Sequence, residues 1–278
     1  MTAIPAMSSG QTTAVAGAFD SLAPDYDAAW TETTVGRLQR RHVWRQLQSM
    51  FRAGERILEL GCGTGVDAAF LARIGVRVHA IDVSPRMLRT AQQRIEQEGL
   101  SDRVTFETCA LEHVAGILQT GPFDGAFSDF GAINCLPDLQ TTARGLAGLL
   151  RPGGRLVLCS MGRFCLWETV YYLLHAQSGR AFRRLRAGRA GFETVLVSSP
   201  AFRVYYPSIA QLAEAFGGNF DLVSFRSVGI LVPPSYLEPW ARARQRTLRA
   251  LASLDEYMGG WPLVRGTGDH RLAAFVRK

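Results

Sequence analysis

The sequence predicts an α/β fold built on a mostly parallel sheet, and three observations carry that prediction. Apolar runs of strand length alternate with helix-period segments from about residue 56 onward, which implies parallel strands with helices on both faces. The run Ile57-Leu58-Glu59-Leu60 passes through Gly61-Cys62-Gly63-Thr64-Gly65 into the helical pattern Val66 to Ala72. A second apolar run, Val76 to Ile81, then ends in the acid Asp82.

In chain order, residues 1–18 are small and polar and read as a mobile tail. Residues 35–51 follow as an amphipathic helix, with Leu38, Val43, Leu47 and Phe51 at helical spacing. Strands are expected near 56–60, 77–82, 104–107, 123–128 and 154–160, and helices near 65–74, 85–98, 111–119 and 138–150. After the fifth strand, Phe164, Leu166, Trp167, Val170, Tyr171 and Leu174 mark an apolar helix. The runs 192–197 and 202–206, flanking Ser198-Ser199-Pro200-Ala201, read as a β-hairpin. Pro207-Ser208 opens another helix, and Pro233-Pro234 precedes a long Arg-rich helix, about 235–258.

The glycine turn removes Cβ atoms where a ligand must approach, and the following helix presents free N–H groups to it. Asp82 lies 17 residues beyond Gly65, where a carboxylate can accept from two ribose hydroxyls. Dinucleotide-binding dehydrogenases share that geometry. Their turn, however, is G-x-G-x-x-G, which seats a pyrophosphate. Here it is G-x-G-x-G preceded by Glu59. A carboxylate there repels a pyrophosphate and suits a ligand with an ammonium group. S-adenosylmethionine (SAM) has a ribose, an ammonium and a sulfonium, and no phosphate.

Ile57 to Gly65 resembles the first motif of the class I (Rossmann-like) SAM-dependent methyltransferases, small-molecule type, and Ala80 to Leu88 resembles their second. Phe123 to Asp129 is similar to their fourth-strand motif, and Leu150 to Leu156 to the turn before strand five. The resemblance covers roughly residues 19–160. It implies a seven-stranded sheet of order 3-2-1-4-5-7-6 with strand 7 antiparallel, strand 6 at 220–231 and strand 7 at 270–277. Residues 19–278 then form one methyltransferase domain, with substrate-covering insertions after strands 5 and 6, about 163–206 and 233–268.

The resemblance also implies roles. Glu59 and the loop Gly61, Cys62, Gly63 and Gly65 hold the methionine end of SAM; Asp82 holds the ribose; Val83 and Met87 flank the adenine. Cys109 stands where family members often carry an acid for the adenine amino group, which leaves the backbone at Ala110 and the face of Leu111 to bind the ring. Glu112 and His113 read as solvent-facing or capping. Asp129 and Phe130 border the methyl site, and the product is S-adenosylhomocysteine. Tyr26 either contacts the methionine end or packs with Phe19 and Trp30 on the sheet. Asn134 either hydrogen-bonds the acceptor or caps the next helix. Trp167, Tyr171 and Tyr205 suit a flat or apolar acceptor, or form a small core under a lid.

Methyl transfer is an in-line displacement at an activated carbon, so alignment and water exclusion suffice unless the nucleophile must lose a proton. For that proton His175, His270 and Asp129 are the catalytic candidates, beside Glu168 and the tyrosines 171, 172, 205 and 206. Asp129-Phe130-Gly131-Ala132 replaces the N/D-P-P-Y/F of nucleic-acid amino-methyltransferases, which argues against base methylation.

The 278 residues carry a net charge of +7, yet only Lys278 is a lysine. Arg180, Arg183, Arg184, Arg186 and Arg189 cluster, as a solvated helix face or as a patch for an anionic substrate or membrane surface. Five cysteines without C-x-x-C spacing suit reduced thiols in a cytoplasmic protein with no metal site. No apolar run reaches ~18 residues, and no nucleic-acid module is visible. The expected activity is methyl transfer from SAM to oxygen, nitrogen or carbon of a small apolar or aromatic metabolite, of the kind found in secondary metabolism. The alternatives are a lipid-like or quinone acceptor reached through peripheral membrane contact, a non-catalytic SAM-binding regulator, or an NAD-dependent oxidoreductase. Oligomeric state is left open.

Overall fold

The structure is a computed structural model that describes residues 9–118, 121–195 and 201–278. Its strands are β1 (Arg56–Leu60), β2 (Arg77–Asp82), β3 (Val104–Thr108), β4 (Phe123–Ser128), β5 (Leu150–Met161), β6 (Glu193–Val195), β7 (Phe202–Val204), β8 (Phe220–Val228) and β9 (His270–Arg277). Seven of them form one sheet in the order β3-β2-β1-β4-β5-β9-β8. β9 runs antiparallel to β5 and β8, while the β3-to-β5 pairs are parallel. This is the expected order, with β8 and β9 as strands 6 and 7.

The helices are α1 (Ser9–Leu22), α2 (Thr34–Met50), α3 (Val66–Arg73), α4 (Pro85–Gln97), α5 (Leu139–Leu149), α6 (Leu166–Leu174), α7 (Ser178–Ala181), α8 (Arg183–Ala190), α9 (Ile209–Gly217), α10 (Glu238–Arg242) and α11 (Gln245–Met258). Local chemistry sets their starts. The Ser84 hydroxyl accepts from the Met87 N–H with Pro85 in the first turn, Asp138 caps α5, and Ser208 with Gln211 forms a capping box on α9. The central strands are covered on both faces. One apolar cluster joins Leu58, Leu60, Phe123 and Leu156 to α5 and α9; the other joins Ile57, Val78, Phe127 and Val157 to α2, α3 and α4. Two-sided burial is why these strands read as unbroken apolar runs.

Four expectations need correction. Residues 9–18 are not a tail: α1 runs through them, and Val15, Ala18 and Phe19 pack on Phe202, Val204 and Tyr206. The helix expected at 111–119 is a short 3₁₀ segment, Leu111–Gly116, in which the i,i+3 pair Leu111 and Val114 is buried. Strand 6 stops at Val228, because Gly229 adopts φ +76° and the Asp255 carboxylate accepts the N–H groups of Ile230, Leu231 and Val232 at 3.1, 3.1 and 3.2 Å. The long helix at 235–258 is broken at Ala243–Arg244, and both pieces bury a residue, Ala241 and Leu248, against Val35 and Val232.

β6 and β7 pair antiparallel, as expected of the hairpin, whose turn residues 196–200 lie outside the described residues. The carboxyl ends of β1, β2 and β4 open toward α1, Tyr26 and the 3₁₀ turn Ala132–Cys135, and a cleft lies between them. Open parallel sheets place ligands at that edge.

Candidate active site

The glycine turn is dictated by its neighbours. Gly61 has φ +74°, and a Cβ there would stand 2.5 Å from that of Ala132; Gly65 has φ +75°, and its Cβ would stand 2.8 Å from that of Ala91. Gly63 (φ +51°) differs: a Cβ would meet no atom within 4 Å, and the residue lines the cleft. The backbone there is open to a ligand. Asp82 is built into the same turn. Its Oδ2 accepts from the Gly63 N–H and its Oδ1 from the Ser84 N–H, each at 2.8 Å. Burial raises the Asp82 pKa, and those backbone donors offset part of the rise. Each oxygen retains a lone pair for a further donor.

Around the cleft the structure brings together Tyr26, Gly61, Gly63, Asp82, Val83 and Met87 with Ala110, Leu111, Asp129 and Phe130. α1 closes one side through Gln11, Thr12, Val15 and Phe19. Polar latches hold it there. Thr12 donates to Glu112, Gln11 Nε2 donates to the Arg203 carbonyl at 2.9 Å, and Asp20 accepts from the Ser84 hydroxyl at 2.6 Å and the Arg86 N–H at 2.9 Å. Asp27 pins the next segment to the turn by accepting from Thr64 at 2.7 Å and pairing with Arg94. Among the described residues, three carboxylates (Asp82, Glu112 and Asp129) and no lysine or arginine line this cleft. A basic protein thus holds an acidic pocket.

At its inner end Phe130 takes φ +46° and Gly131 φ +96°. Such left-handed pairs are held only where surroundings over-determine them. Here the Phe130 ring meets the Trp30 and His270 rings edge-on, each at 5.4 Å between centroids, and the Arg40 guanidinium stands 4.8 Å from its centroid. Arg40 pairs with Asp67, whose other oxygen accepts from Trp44 Nε1 at 2.6 Å. Both oxygens of Asp129 and Oε2 of Glu59 are buried without a protein hydrogen-bond partner. Burial, reinforced by the Asp67 charge, pushes both acids well above the usual carboxylate range. His270 Nδ1 is likewise unpartnered, 3.4 Å from Asp269 Oδ2. Burial lowers the His270 pKa despite that aspartate, so the ring is neutral at pH 7.

Several sequence-derived assignments fall elsewhere. Glu59, Cys62 and Gly65 stand behind the cleft wall, with Cys62 buried and its thiol pKa raised. Cys109 turns back to the Ala110 carbonyl, at 3.2 Å. Glu112 is neither free in solvent nor a cap, but lines the cleft under Thr12. Asn134 is fully buried and both of its N–H donors are used within the protein. Its Nδ2 donates to the carbonyls of Met161 and Tyr205 at 3.1 and 2.6 Å, and its Oδ1 accepts from the Met161 N–H at 2.9 Å. It clamps the end of β4 to β5 and the hairpin.

His175 is exposed at the end of α6, with Nδ1 2.7 Å from the Tyr171 carbonyl and its ring on Tyr171, away from the cleft. Trp167 and Tyr171 pack on Trp240 and Tyr236 and line neither this cleft nor the one that adjoins it. Tyr205 lines a second cleft, with Phe192 and Tyr206, which adjoins the first at Gln11 and Leu136. Sequence reasoning missed the α1 residues Gln11, Thr12 and Val15, the Arg40–Asp67–Trp44 network and Cys135 on the cleft wall. The spacing of Ala14, Val15, Ala18, Phe19 and Leu22 was the available signal for α1.

The fold and this acidic, phosphate-averse cleft define a Rossmann-like enzyme for a cationic nucleoside ligand. The methyltransferase-domain family matches residues 57–154. Methyltransferase GfsG of Streptomyces halstedii is 32% identical over 207 residues, spanning 62% of this chain and 72% of the relative. The ubiquinone biosynthesis O-methyltransferase of Xanthomonas axonopodis pv. citri is 34% identical over 111 residues, spanning 40% of this chain and 45% of the relative. The crystal structure of the [4+2]-cyclase SpnF superposes with a TM-score of 0.61 at 17% identity, over 100% of this chain and 99% of that one, a likeness of fold alone. The chain belongs to the class I SAM-dependent methyltransferases. It is an enzyme, and its cofactor is SAM.

Proposed function

We propose that the chain methylates an oxygen, nitrogen or carbon atom of a small apolar or aromatic acceptor. The observation that carries the reading is the pairing of the two clefts. The first is acidic and fits SAM: Gly63 leaves the backbone open, Asp129 offers two unpartnered buried oxygens, and no cationic side chain lines it to attract a phosphate. The second presents Leu136, Phe192, Tyr205, Tyr206 and Pro207, with Arg163, Arg203, Asp138 and Glu214 also on its lining, and meets the first at Gln11 and Leu136.

SAM supplies an electrophilic methyl group on a sulfonium. Asp82 would accept from its ribose hydroxyls, with Val83, Met87 and Leu111 against the adenine. Asp129 and Tyr26 would lie toward the methionine end, and a cation beside Asp129 favours the ionised carboxylate that burial disfavours. α1 and Phe130 exclude water from the reacting atoms. His270 lines neither cleft but packs on the Phe130 ring; neutral and with Nδ1 free of a hydrogen bond, it is the candidate base for an acceptor that must lose a proton. Relatives named for ubiquinone biosynthesis support hydroxylated rings as the first acceptors to try.

The test incubates the enzyme with SAM and a panel of phenols, catechols and quinols, and follows methylated product by mass spectrometry. Turnover should appear with at least one aromatic hydroxyl. His270→Ala should lower kcat by roughly 10²-fold or more with SAM affinity unchanged. Equal turnover by His270→Ala would remove the base assignment. Methylation confined to proteins or nucleic acids would remove the acceptor assignment.

A further inference from the structure

α6 is turned the wrong way round for a helix of a soluble protein. Its buried residues are Glu168 and Thr169. Its apolar stripe faces outward: Leu166 is 40% exposed, Val170 44%, Leu173 46% and Leu174 80%. The spacing i, i+4, i+7, i+8 makes these one continuous ridge. The inward polar face is satisfied, since Glu168 accepts from Arg183 at 2.7 Å and from Arg184 Nε at 3.1 Å, and the Thr169 hydroxyl donates to the Ala181 carbonyl at 3.2 Å.

The ridge belongs to a wider surface contributed by both insertions. Tyr236 lies 6.0 Å from Tyr171 and 5.9 Å from Tyr172 between ring centroids, and Trp240 lies 5.6 Å from Trp167. Arginines edge the aromatics: the Arg180 guanidinium stands 5.9 Å from the Tyr172 ring and that of Arg244 stands 4.7 Å from the Trp240 ring. Every exposed charge on residues 163–190 and 235–249 is an arginine: Arg180, Arg186 and Arg189 in the first segment, Arg242, Arg244, Arg246 and Arg249 in the second. The two acids of these segments are engaged inward, Glu168 with its arginines and Glu238 with the N–H groups of Thr34 and Val35 at 2.7 and 3.0 Å.

From this we infer that the α6 face docks on the surface of an anionic phospholipid bilayer. Exposed Leu and Val beside Trp and Tyr, on segments whose exposed charges are all cationic, is the chemistry of an interfacial helix, which sinks its apolar side into the headgroup boundary and attracts anionic lipid through its arginines. A second copy of the chain is a poorer occupant. A two-fold contact sets the patch against itself, arginine against arginine, with no exposed acid to pair. The surface is separate from the two clefts, so the inference stands apart from the acceptor reading, and vesicle binding is measured without turnover.

The experiment is sedimentation of the full-length enzyme with phosphatidylcholine vesicles, with and without phosphatidylglycerol, at low and high salt. Binding should be strong with phosphatidylglycerol, weak without it, and reversed by salt. The double variant Leu173→Glu/Leu174→Glu should lose roughly tenfold or more of the partitioning while keeping its thermal midpoint and SAM affinity. The inference is overturned by absence of binding to phosphatidylglycerol vesicles at low salt, or by equal binding of wild type and variant. It is also overturned if analytical ultracentrifugation shows a dimer that the variant abolishes.

Discussion

The glycine-turn edge of the sheet and the insertion side differ in how their buried charges are matched. On the insertion side the carboxylates of Glu168, Asp255 and Asp269 are matched. Arg184 reaches Glu168 and both the carbonyl and carboxylate of Asp269 at 2.7–3.1 Å, and Asp255 collects three backbone N–H groups. At the glycine-turn edge two carboxylates are not. Asp129, on the cleft lining, and Glu59, behind it, keep buried oxygens without hydrogen-bond partners, and among the described residues no lysine or arginine lines that cleft. Buried polar atoms are ordinarily satisfied. We read the closed carboxylate networks as scaffold, and the buried carboxylates left open as the place where a bound cation would complete the structure.

Breaking a closed network should cost the most. Glu168→Ala leaves Arg184 buried beside fewer acids and should lower stability by about 3 kcal/mol, read from the denaturant midpoint, with SAM affinity unchanged within about twofold. An intact midpoint would mean that the cluster is not scaffold. The open site should respond in the opposite sense. Acids with folded-state pKa values above the unfolded ones favour the folded state at low pH, and that contribution is lost as pH climbs from about 4 through the raised values. The free enzyme should therefore lose stability over that interval, while a cation at the site favours the ionised form. The thermal shift produced by SAM should be larger near about pH 7 than near about pH 5. Asp129→Asn should flatten the difference and weaken SAM binding by roughly tenfold, ~1.4 kcal/mol. A SAM-induced shift that is greater in acid would contradict the reading.

Much of the first region was legible in the sequence because its constraints are local. A glycine that must take positive φ and an acid that ends an apolar strand announce themselves in a few residues, and Gly61, Gly63, Asp82, Val83 and Met87 do line one cleft. Partners distant in sequence were not legible. Thr12 and Glu112 are 100 residues apart, and nothing near Glu112 reveals that α1 covers it. Asn134 looked like a free hydrogen-bonding group until its partners at Met161 and Tyr205 were seen. On the insertion side the apolar helical pattern of α6 was correct, but which face turns inward was set by Arg183 and Arg184. That is why Trp167, Tyr171 and His175 were assigned to the pocket.

Calorimetric titration of SAM into the wild type and Asp82→Ala addresses the central claim most directly, because Asp82 is the proposed link between the glycine turn and the ribose. The variant should bind at least about tenfold more weakly, on the order of 1.5–3 kcal/mol for a lost charged hydrogen-bond pair, and NAD should bind neither protein. Affinity for SAM unchanged within about twofold, or preferential binding of NAD, would contradict it.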